Sequence, residues 1–447
     1  MTIDILFLLD CLQKGGAERV ASNIMNSLSS NPRYNINLIT FYSETETYQY
    51  ELNENVKVTK SSIQNEKDHL LELIDNTKIE LVISFLYMDR HINLIYKHYP
   101  DIKYIFTVHS TLFYFAPFVD KLLNIIAKAN ITTVLNTYTY KSCRLAGLNN
   151  ITIIPNLNTF NTYDIEPQFP NNKNLLCIGD FTRDMGRNKR LDRVLKVFIE
   201  VKRKHNDAVL YVIGLYNLTL KINNETETLE ELIEKNNLEI GKDIIFTGVI
   251  YNVSSYYKKS AVYIMTSTLE GMPMVLLESG AYGLPVVANK INGLEDVILE
   301  GQNGFIVEQD DIKGMAEKTI LLLQDSELRL KISKKAIELA KRFDNDKVIS
   351  QWETIINMVL SNDQLTINKL LYKNINYTTE DYKNIALDSL TACRLATRDN
   401  EMLIDIPSYN PALCIVIHNP IIKKTLLGVK YILKKLHLLG LLKRILQ

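Results

Sequence analysis

Two glutamates separated by seven residues are the strongest candidates for chemistry in this chain. Glu270 follows a predicted strand, and Glu278 lies in the second turn of a helix predicted to begin near Met274. Carboxylates at these positions can accept hydrogen bonds from vicinal hydroxyls, while the first amides of the helix can bind phosphate. The spacing alone leaves two structural alternatives, a capping acid and a surface glutamate.

A second candidate is the basic loop between Gly179 and a helix predicted from Leu191. The loop carries four cationic side chains, which are Arg183, Arg187, Lys189 and Arg190. Lysine and arginine can neutralise the negative charge that grows on a departing diphosphate. Cations at a helix N-terminus oppose the helix dipole unless an anion is bound, so we favour an anion site over a solvated helix end.

Three further features are weaker. Gly15 and Gly16 separate the first predicted strand from its helix, where backbone could approach a diphosphate, although a tight turn explains them equally well. His109 ends another predicted strand and could donate a hydrogen bond to a sugar hydroxyl or transfer a proton, but a lone histidine is more often structural.

The segment Asp344-Asn345-Asp346 has two aspartates separated by one residue, a spacing that can bind a metal ion. It precedes a helix, so N-capping explains it better and we predict no metal site.

The elements that must position these residues are short apolar strands that alternate with helical segments. Strands are predicted at 3–9 and 36–41 in the first half of the chain, and at 209–214 and 262–265 in the second. This alternation predicts βαβ units and an α/β fold with two doubly wound, Rossmann-like parallel-sheet domains that face each other across a cleft. We expect domains at 1–165 and 166–343, a further amphipathic helix at 344–360, and a C-terminal extension at 361–447.

Composition restricts the class of protein. Basic and acidic residues balance at 51 each, so no overall field attracts nucleic acid. Five scattered cysteines without paired spacing favour reduced thiols. The N-terminus lacks a basic region before its apolar residues, and no apolar stretch reaches the ~18 residues that a membrane-spanning helix needs. We therefore expect a cytoplasmic protein.

The C-terminal extension differs in charge from the rest of the chain. Between Ile406 and Gln447 there are seven basic residues and no acidic one. If 420–439 is one helix, its lysines gather on one side and most of its leucines and isoleucines on the other. This pattern favours contact with an anionic membrane surface at the inner face of the cell membrane. Packing on the enzyme or on another subunit is the alternative.

The motifs together resemble the retaining family 4 glycosyltransferases, which have the GT-B fold. The resemblance covers about residues 1–360 and rests on segments 15–19, 154–156 and 188–190, and above all on Glu270 and Glu278 in their context. It implies a nucleotide-sugar donor, with a UDP-sugar favoured over a GDP-sugar, a glycan or lipid-linked glycan acceptor, and no cofactor. The process implied is bacterial surface polysaccharide or glycoconjugate synthesis. The resemblance also implies that the helix at 344–360 crosses back to the first domain.

The resemblance also implies roles for individual residues. Lys189 would hold the diphosphate, Glu270 would contact the donor sugar and Glu278 would bind the ribose. His109 would lie beside the transferred sugar and would complete the catalytic set with Lys189 and Glu270. The other donor-binding residues would be Gly15, Gly16, Arg183, Val249, Ile250, Gly271, Met272, Met274 and Val275.

The sequence departs from the family pattern at two places. Asp180 stands where many members have an arginine, so the second phosphate-binding base would be Arg183 or Arg187, and we prefer Arg183. Met272 and Pro273 stand where an aromatic residue and a glycine are common, so the sugar pocket would be lined differently.

The sequence therefore predicts a retaining, metal-independent hexosyltransferase. The alternatives are a catalytically inactive GT-B scaffold of a polysaccharide-synthesis complex and another GT-B enzyme, such as a sugar-nucleotide epimerase or a phosphorylase.

Overall fold

A computed structural model describes residues 2–13, 15–43, 45, 48, 50–87, 89–110, 119–145, 148–159, 161–222, 227–250, 252–361, 381 and 384. The chain divides into two units. Unit 1 contains the described residues up to Pro155 and from Ile349 onward, and unit 2 contains Asn156–Val348. The expected domain bounds were 165/166 and 343/344, so the structure divides the chain earlier at the first boundary and later at the second.

Unit 1 is built on a parallel sheet with the strand order β3-β2-β1-β4-β5-β6-β7. Its elements, in chain order, are β1 (Ile3–Leu9), α1 (Gly16–Ser29), β2 (Tyr34–Thr40), β3 (Lys57–Lys60), α2 (Glu66–Asn76), β4 (Ile79–Ser84), α3 (Asp89–His98), β5 (Lys103–Val108), α4 (Val119–Lys128), β6 (Ile131–Val134), α5 (Thr137–Leu145) and β7 (Ile151–Ile153).

Unit 2 repeats this organisation with the strand order β10-β9-β8-β11-β12-β13, again all parallel. Its elements are β8 (Asn174–Ile178), α6 (Leu191–Lys204), β9 (Val209–Ile213), α7 (Leu229–Lys235), β10 (Ile244–Gly248), α8 (Ser254–Lys259), β11 (Val262–Met265), α9 (Met274–Ala281), β12 (Val286–Asn289), β13 (Gly304–Val307), α10 (Ile312–Gln324) and α11 (Ser326–Ala340). The last described helix, α12 (Asn345–Ser361), begins in unit 2 and continues in unit 1.

Burial explains why these segments form their elements. The central strands read as continuous apolar runs because parallel strands are covered on both faces by helices, and Ile5–Leu8 of β1 are fully buried. Helix α6 buries Leu191, Val194, Leu195 and Phe198, the i, i+3, i+4, i+7 spacing of one helix face, in the core of unit 2.

The predicted fold class is confirmed, since both units are doubly wound parallel-sheet α/β structures. Strands β3, β7 and β13 were not predicted. β3 is a partly exposed edge strand of four residues with a lysine at each end, and β7 has only three residues, so neither carries a long apolar run. Among the described residues, no helix is both long enough and apolar enough to cross a membrane. The predicted helix at 420–439 lies outside the described residues.

Candidate active site

The topology of unit 2 brings the two strongest sequence candidates together. The strand order reverses between β8 and β11, which are neighbours in the sheet although they are distant in sequence. In open parallel sheets the loops that leave the carboxyl ends of such strands border a ligand crevice. The basic loop after β8 and the Glu270 loop after β11 therefore meet at this switch point.

Lys189 and Glu270 form an ion pair across these two loops. The Lys189 Nζ lies 2.5 Å from the Glu270 Oε1, and the two side chains remain 23% and 16% exposed. The aliphatic part of Lys189 runs past Gly179, where an added methyl group would contact the lysine Cδ at 3.4 Å. A cation and a carboxylate that reach solvent at a sheet switch point can each exchange this contact for one with a polar ligand.

Several hydrogen bonds fix the two loops against each other. The carbonyl of Asn188 accepts from the Thr268 amide at 2.8 Å, and its Oδ1 accepts from the Leu269 amide at 3.1 Å. The Thr266 hydroxyl lies 2.9 Å from the carbonyl oxygens of both Lys189 and Arg190. The relative position of Lys189 and Glu270 is therefore set by backbone contacts as well as by their own ion pair.

Glu278 occupies a deeper position on α9. It is only 1% exposed, and its Oε2 accepts a hydrogen bond of 2.7 Å from the Tyr257 hydroxyl on α8. The Tyr257 ring stacks on Tyr282 with the ring centroids 5.1 Å apart, and it also stacks on Tyr263. Burial raises the pKa of Tyr263 well above its usual value, which keeps this phenol neutral. The surface-glutamate alternative for Glu278 is excluded by its burial.

The start of α9 presents the residues predicted to bind phosphate. Met274 and Val275 are the first two residues of this helix, so their amides have no intrahelical acceptor. Pro273 is the N-cap and fixes the entry of the chain. Just before it, the carbonyl of the buried Met272 accepts a hydrogen bond of 2.9 Å from the Asn156 side-chain amide. Asn156, the last residue of the segment 154–156, therefore helps to position the loop that carries Gly271.

The edge of the sheet beside this site is apolar. Val249 and Ile250 follow β10, and Val249 is exposed. The ring of Tyr216, which follows β9 and is also exposed, stacks on Phe246 of β10 with the ring centroids 4.5 Å apart. Aromatic and aliphatic surface at this point suits the flat face of a nucleobase.

The structure describes the backbone of the basic loop but not all of its side chains. The side chain of Arg183 lies outside the described part of the structure, so its preferred role stays a prediction. Asp180 accepts from the amide and the hydroxyl of Thr182 at 2.9 and 2.6 Å and so stabilises the turn after Gly179. Arg187 places a guanidinium nitrogen 3.6 Å from the Met185 sulfur, and its carbonyl accepts from Thr268.

The candidates of the first half of the chain lie at the carboxyl edge of the unit 1 sheet. Gly15 precedes α1, which begins at Gly16, and its amide and carbonyl both bond the Tyr50 hydroxyl, at 3.2 and 2.9 Å. His109 follows β5, and its ring stacks on Phe85 with the ring centroids 4.7 Å apart. The donor-side roles of Gly15, Gly16 and His109 stay predictions.

The metal-binding alternative has a structural explanation. Asp344 is buried, and its two carboxylate oxygens accept from the amide and the hydroxyl of Thr162 at 2.8 and 3.0 Å. Its carbonyl accepts from the Lys347 and Val348 amides at the start of α12. In the described part of the chain, no group of three or more His, Cys, Asp or Glu side chains could hold a metal ion.

Sequence reasoning missed the residues that support the site. Tyr257 lies in the segment Ser254–Lys259, which has two serines, two tyrosines and two lysines in succession and matched no motif. Gln309 donates from its side-chain amide to the carbonyls of Thr268 and Lys290 at 3.0 and 3.2 Å and so links three loops. Such contacts join residues that are distant in sequence, so no spacing rule could find them.

Two parallel-sheet units of this kind define the GT-B architecture, and the comparisons with known proteins agree. Residues 165–339 match the family model described as "Glycosyl transferases group 1". The chain is 26% identical to an uncharacterized glycosyltransferase of Haemophilus influenzae over 78% of this chain and 98% of that one. It is 25% identical to the amylovoran biosynthesis glycosyltransferase AmsD of Erwinia amylovora over 79% of this chain and 99% of that one.

A solved structure shows the same fold. HepE of Anabaena in complex with UDP superposes with a TM-score of 0.64 at 15% identity, and the match covers 79% of this chain and 100% of HepE. The chain therefore has the GT-B fold, and the segment that matches the group 1 glycosyl transferases lies in unit 2.

Proposed function

We propose that this protein transfers a hexose or related sugar from a UDP-sugar to a hydroxyl of a glycan or lipid-linked glycan, with retention of anomeric configuration. The observation that carries the proposal is the Lys189–Glu270 pair at the switch point of the unit 2 sheet, with the buried Glu278 on the adjoining helix. UDP is favoured because HepE, a structure of the same fold, is described in complex with UDP.

The geometry suggests how such a donor would bind. A diphosphate would accept hydrogen bonds from Lys189 and from the first amides of α9, and sugar hydroxyls would donate to Glu270. The ion pair between Lys189 and Glu270 would thus be exchanged for two contacts with one ligand. The ribose hydroxyls would reach Glu278, and the base would rest near Val249.

The chemistry proposed for the chain's own residues is electrostatic. Negative charge grows on the diphosphate as the sugar departs, and Lys189 with a helix N-terminus stabilises that charge. The acceptor hydroxyl attacks from the face that the diphosphate leaves, and a diphosphate oxygen takes its proton, so configuration is retained. The sugar–phosphate bond breaks and the new glycosidic bond forms, which releases the nucleoside diphosphate.

The name of one related protein supports a proposal on the biological setting. The name of the Erwinia relative assigns it to the synthesis of amylovoran. We accordingly propose a role for the present protein in surface polysaccharide or glycoconjugate synthesis, at the cytoplasmic side of the cell membrane.

Thermal stabilisation by nucleotide sugars tests the proposed donor class. A panel of UDP-, GDP- and ADP-sugars is added to the full chain and the unfolding temperature is measured. A ligand at 100 times its dissociation constant adds ~2.7 kcal/mol to the stability of the folded state. We expect a UDP-sugar to give the largest shift. Stabilisation only by GDP- or ADP-sugars would contradict the UDP assignment, and no stabilisation by any would favour the inactive scaffold.

Transfer is expected to be independent of divalent metal. The proposed site supplies Lys189 and helix amides to the diphosphate, and the oxygens of Asp344 are already bonded to Thr162. Nucleotide release should therefore keep its rate in excess EDTA. Loss of activity that manganese restores would contradict this mechanism.

The C-terminal extension is expected to bind anionic membranes. Its seven basic residues between Ile406 and Gln447 would each contribute ~1 kcal/mol near anionic lipid. Deletion of 420–447 should abolish salt-sensitive sedimentation with vesicles that contain phosphatidylserine, and should leave transfer to a soluble acceptor largely unchanged. Binding that survives the deletion, or a change in oligomeric state, would refute membrane contact through this segment.

A further inference from the structure

Arg190, the residue between Lys189 and helix α6, has an unusual backbone. Its φ and ψ are 55° and 61°, in the left-handed region that residues with a side chain seldom occupy. The other non-glycine residues with positive φ in the described part of the chain are Met185, Asn237 and Asp310. A conformation of this kind persists only where the surrounding structure holds it, and it is concentrated at functional sites.

A buried ion pair holds this conformation. The Arg190 Nε and Nη2 donate to the two carboxylate oxygens of Asp192 at 2.8 and 2.7 Å, and the two side chains are 7% and 3% exposed. The Arg190 amide donates to the Gly186 carbonyl at 3.1 Å, and the Arg190 carbonyl lies 2.9 Å from the Thr266 hydroxyl. The pair is bidentate and desolvated, so it holds the arginine in one geometry.

The left-handed turn decides where the preceding side chain points. Leu191 starts α6 and is fully buried in the core, so the direction of the chain after Arg190 is fixed. A right-handed or extended Arg190 would rotate the backbone before it and carry the Lys189 ammonium away from Glu270. From this geometry we infer that Arg190 is a positioning residue, whose backbone, held by Asp192, directs Lys189 into the proposed diphosphate site.

This inference rests on the proposed function for its kinetic readout, and it is tested with two double variants. Arg190→Gly/Asp192→Asn and Arg190→Ala/Asp192→Asn both lack the ion pair, and neither leaves a buried unpaired carboxylate. They differ in that glycine adopts positive φ without strain whereas alanine does not. The kcat and KM for the nucleotide sugar are measured at a temperature at which both variants remain folded. A second readout needs no turnover: the rate at which acetic anhydride labels Lys189, followed by peptide mass spectrometry.

We expect the glycine variant to keep kcat within about threefold of the wild type. We expect the alanine variant to lose at least about tenfold in kcat, because a displacement of about 1 Å can cost up to ~10²-fold. Lys189 labelling should be faster in the alanine variant than in the glycine variant. Asn237, a left-handed residue at the end of α7, supplies the control: Asn237→Ala against Asn237→Gly should change the unfolding temperature but neither kcat nor labelling.

Equal kcat and equal Lys189 labelling in the two double variants would overturn the inference and leave Arg190 a purely structural residue. If the wild type turns over no nucleotide sugar, the proposed function fails. The labelling comparison then still decides whether Arg190 orients Lys189.

Discussion

Replacing Lys189 by alanine is expected to lower kcat for sugar transfer by about 10²–10³-fold, the range seen when one donor to a developing negative charge is removed. The Lys189 ammonium lies at the switch point of the sheet, where the diphosphate is proposed to bind. Stability should change little, by ~1 kcal/mol or less, because the ion pair with Glu270 is partly exposed to solvent. Steady-state nucleotide release and thermal unfolding measure the two effects separately.

Lys173→Ala is the matched control for this variant. Lys173 lies just before β8, whereas Lys189 lies after it. The Lys173 ammonium is 3.0 Å from Asp207, at the end of the sheet opposite to Lys189. Both substitutions remove one partly exposed ion pair of unit 2, but only Lys189 lies at the carboxyl edge. Near-normal turnover in Lys189→Ala, or an equal loss in Lys173→Ala, would remove Lys189 from the proposed site.

Glu278→Gln is expected to weaken binding of free UDP by about 10–100-fold, since a hydrogen bond to a charged group contributes ~1.5–3 kcal/mol. The substitution keeps the shape of the side chain, which matters because Glu278 is only 1% exposed and accepts a hydrogen bond from Tyr257. Titration calorimetry with UDP measures the loss.

Glu270→Gln is the companion variant. Glu270 is proposed to contact the sugar and not the nucleotide, so its amide variant should keep the affinity for UDP and lose sugar transfer. If both variants weaken UDP binding equally, the proposed division between sugar and ribose is wrong.

The sequence predicts most of the fold because each central strand is an apolar run and each helix has a buried face. Helix α6 begins at Leu191, as predicted, because its apolar residues recur at helical spacing from that position. Strand β3 was missed because Val58 is its one apolar side chain and is itself exposed. Edge strands owe their conformation to pairing with a neighbour, which a local pattern does not record.

The candidate site was predictable to a smaller extent. The positions of Lys189 and Glu270 in strand-to-helix loops predicted that both would lie at the carboxyl edge of a sheet, and the strand order brings them into contact. The hydroxyl of Tyr257 on Glu278 could not be predicted, because it depends on the packing of α8 against α9. The left-handed backbone of Arg190 could not be predicted either, because arginine seldom adopts a positive φ.

Sugar transfer from a nucleoside diphosphate donor through the unit 2 site is the proposal on which these expectations depend. Its most direct test is release of UDP from a panel of UDP-sugars by the wild-type chain in EDTA, with Lys189→Ala measured in parallel. We expect release from at least one UDP-sugar by the wild type and a loss of about 10²-fold or more in the variant. Absence of release from every donor, or equal release by both proteins, would contradict it.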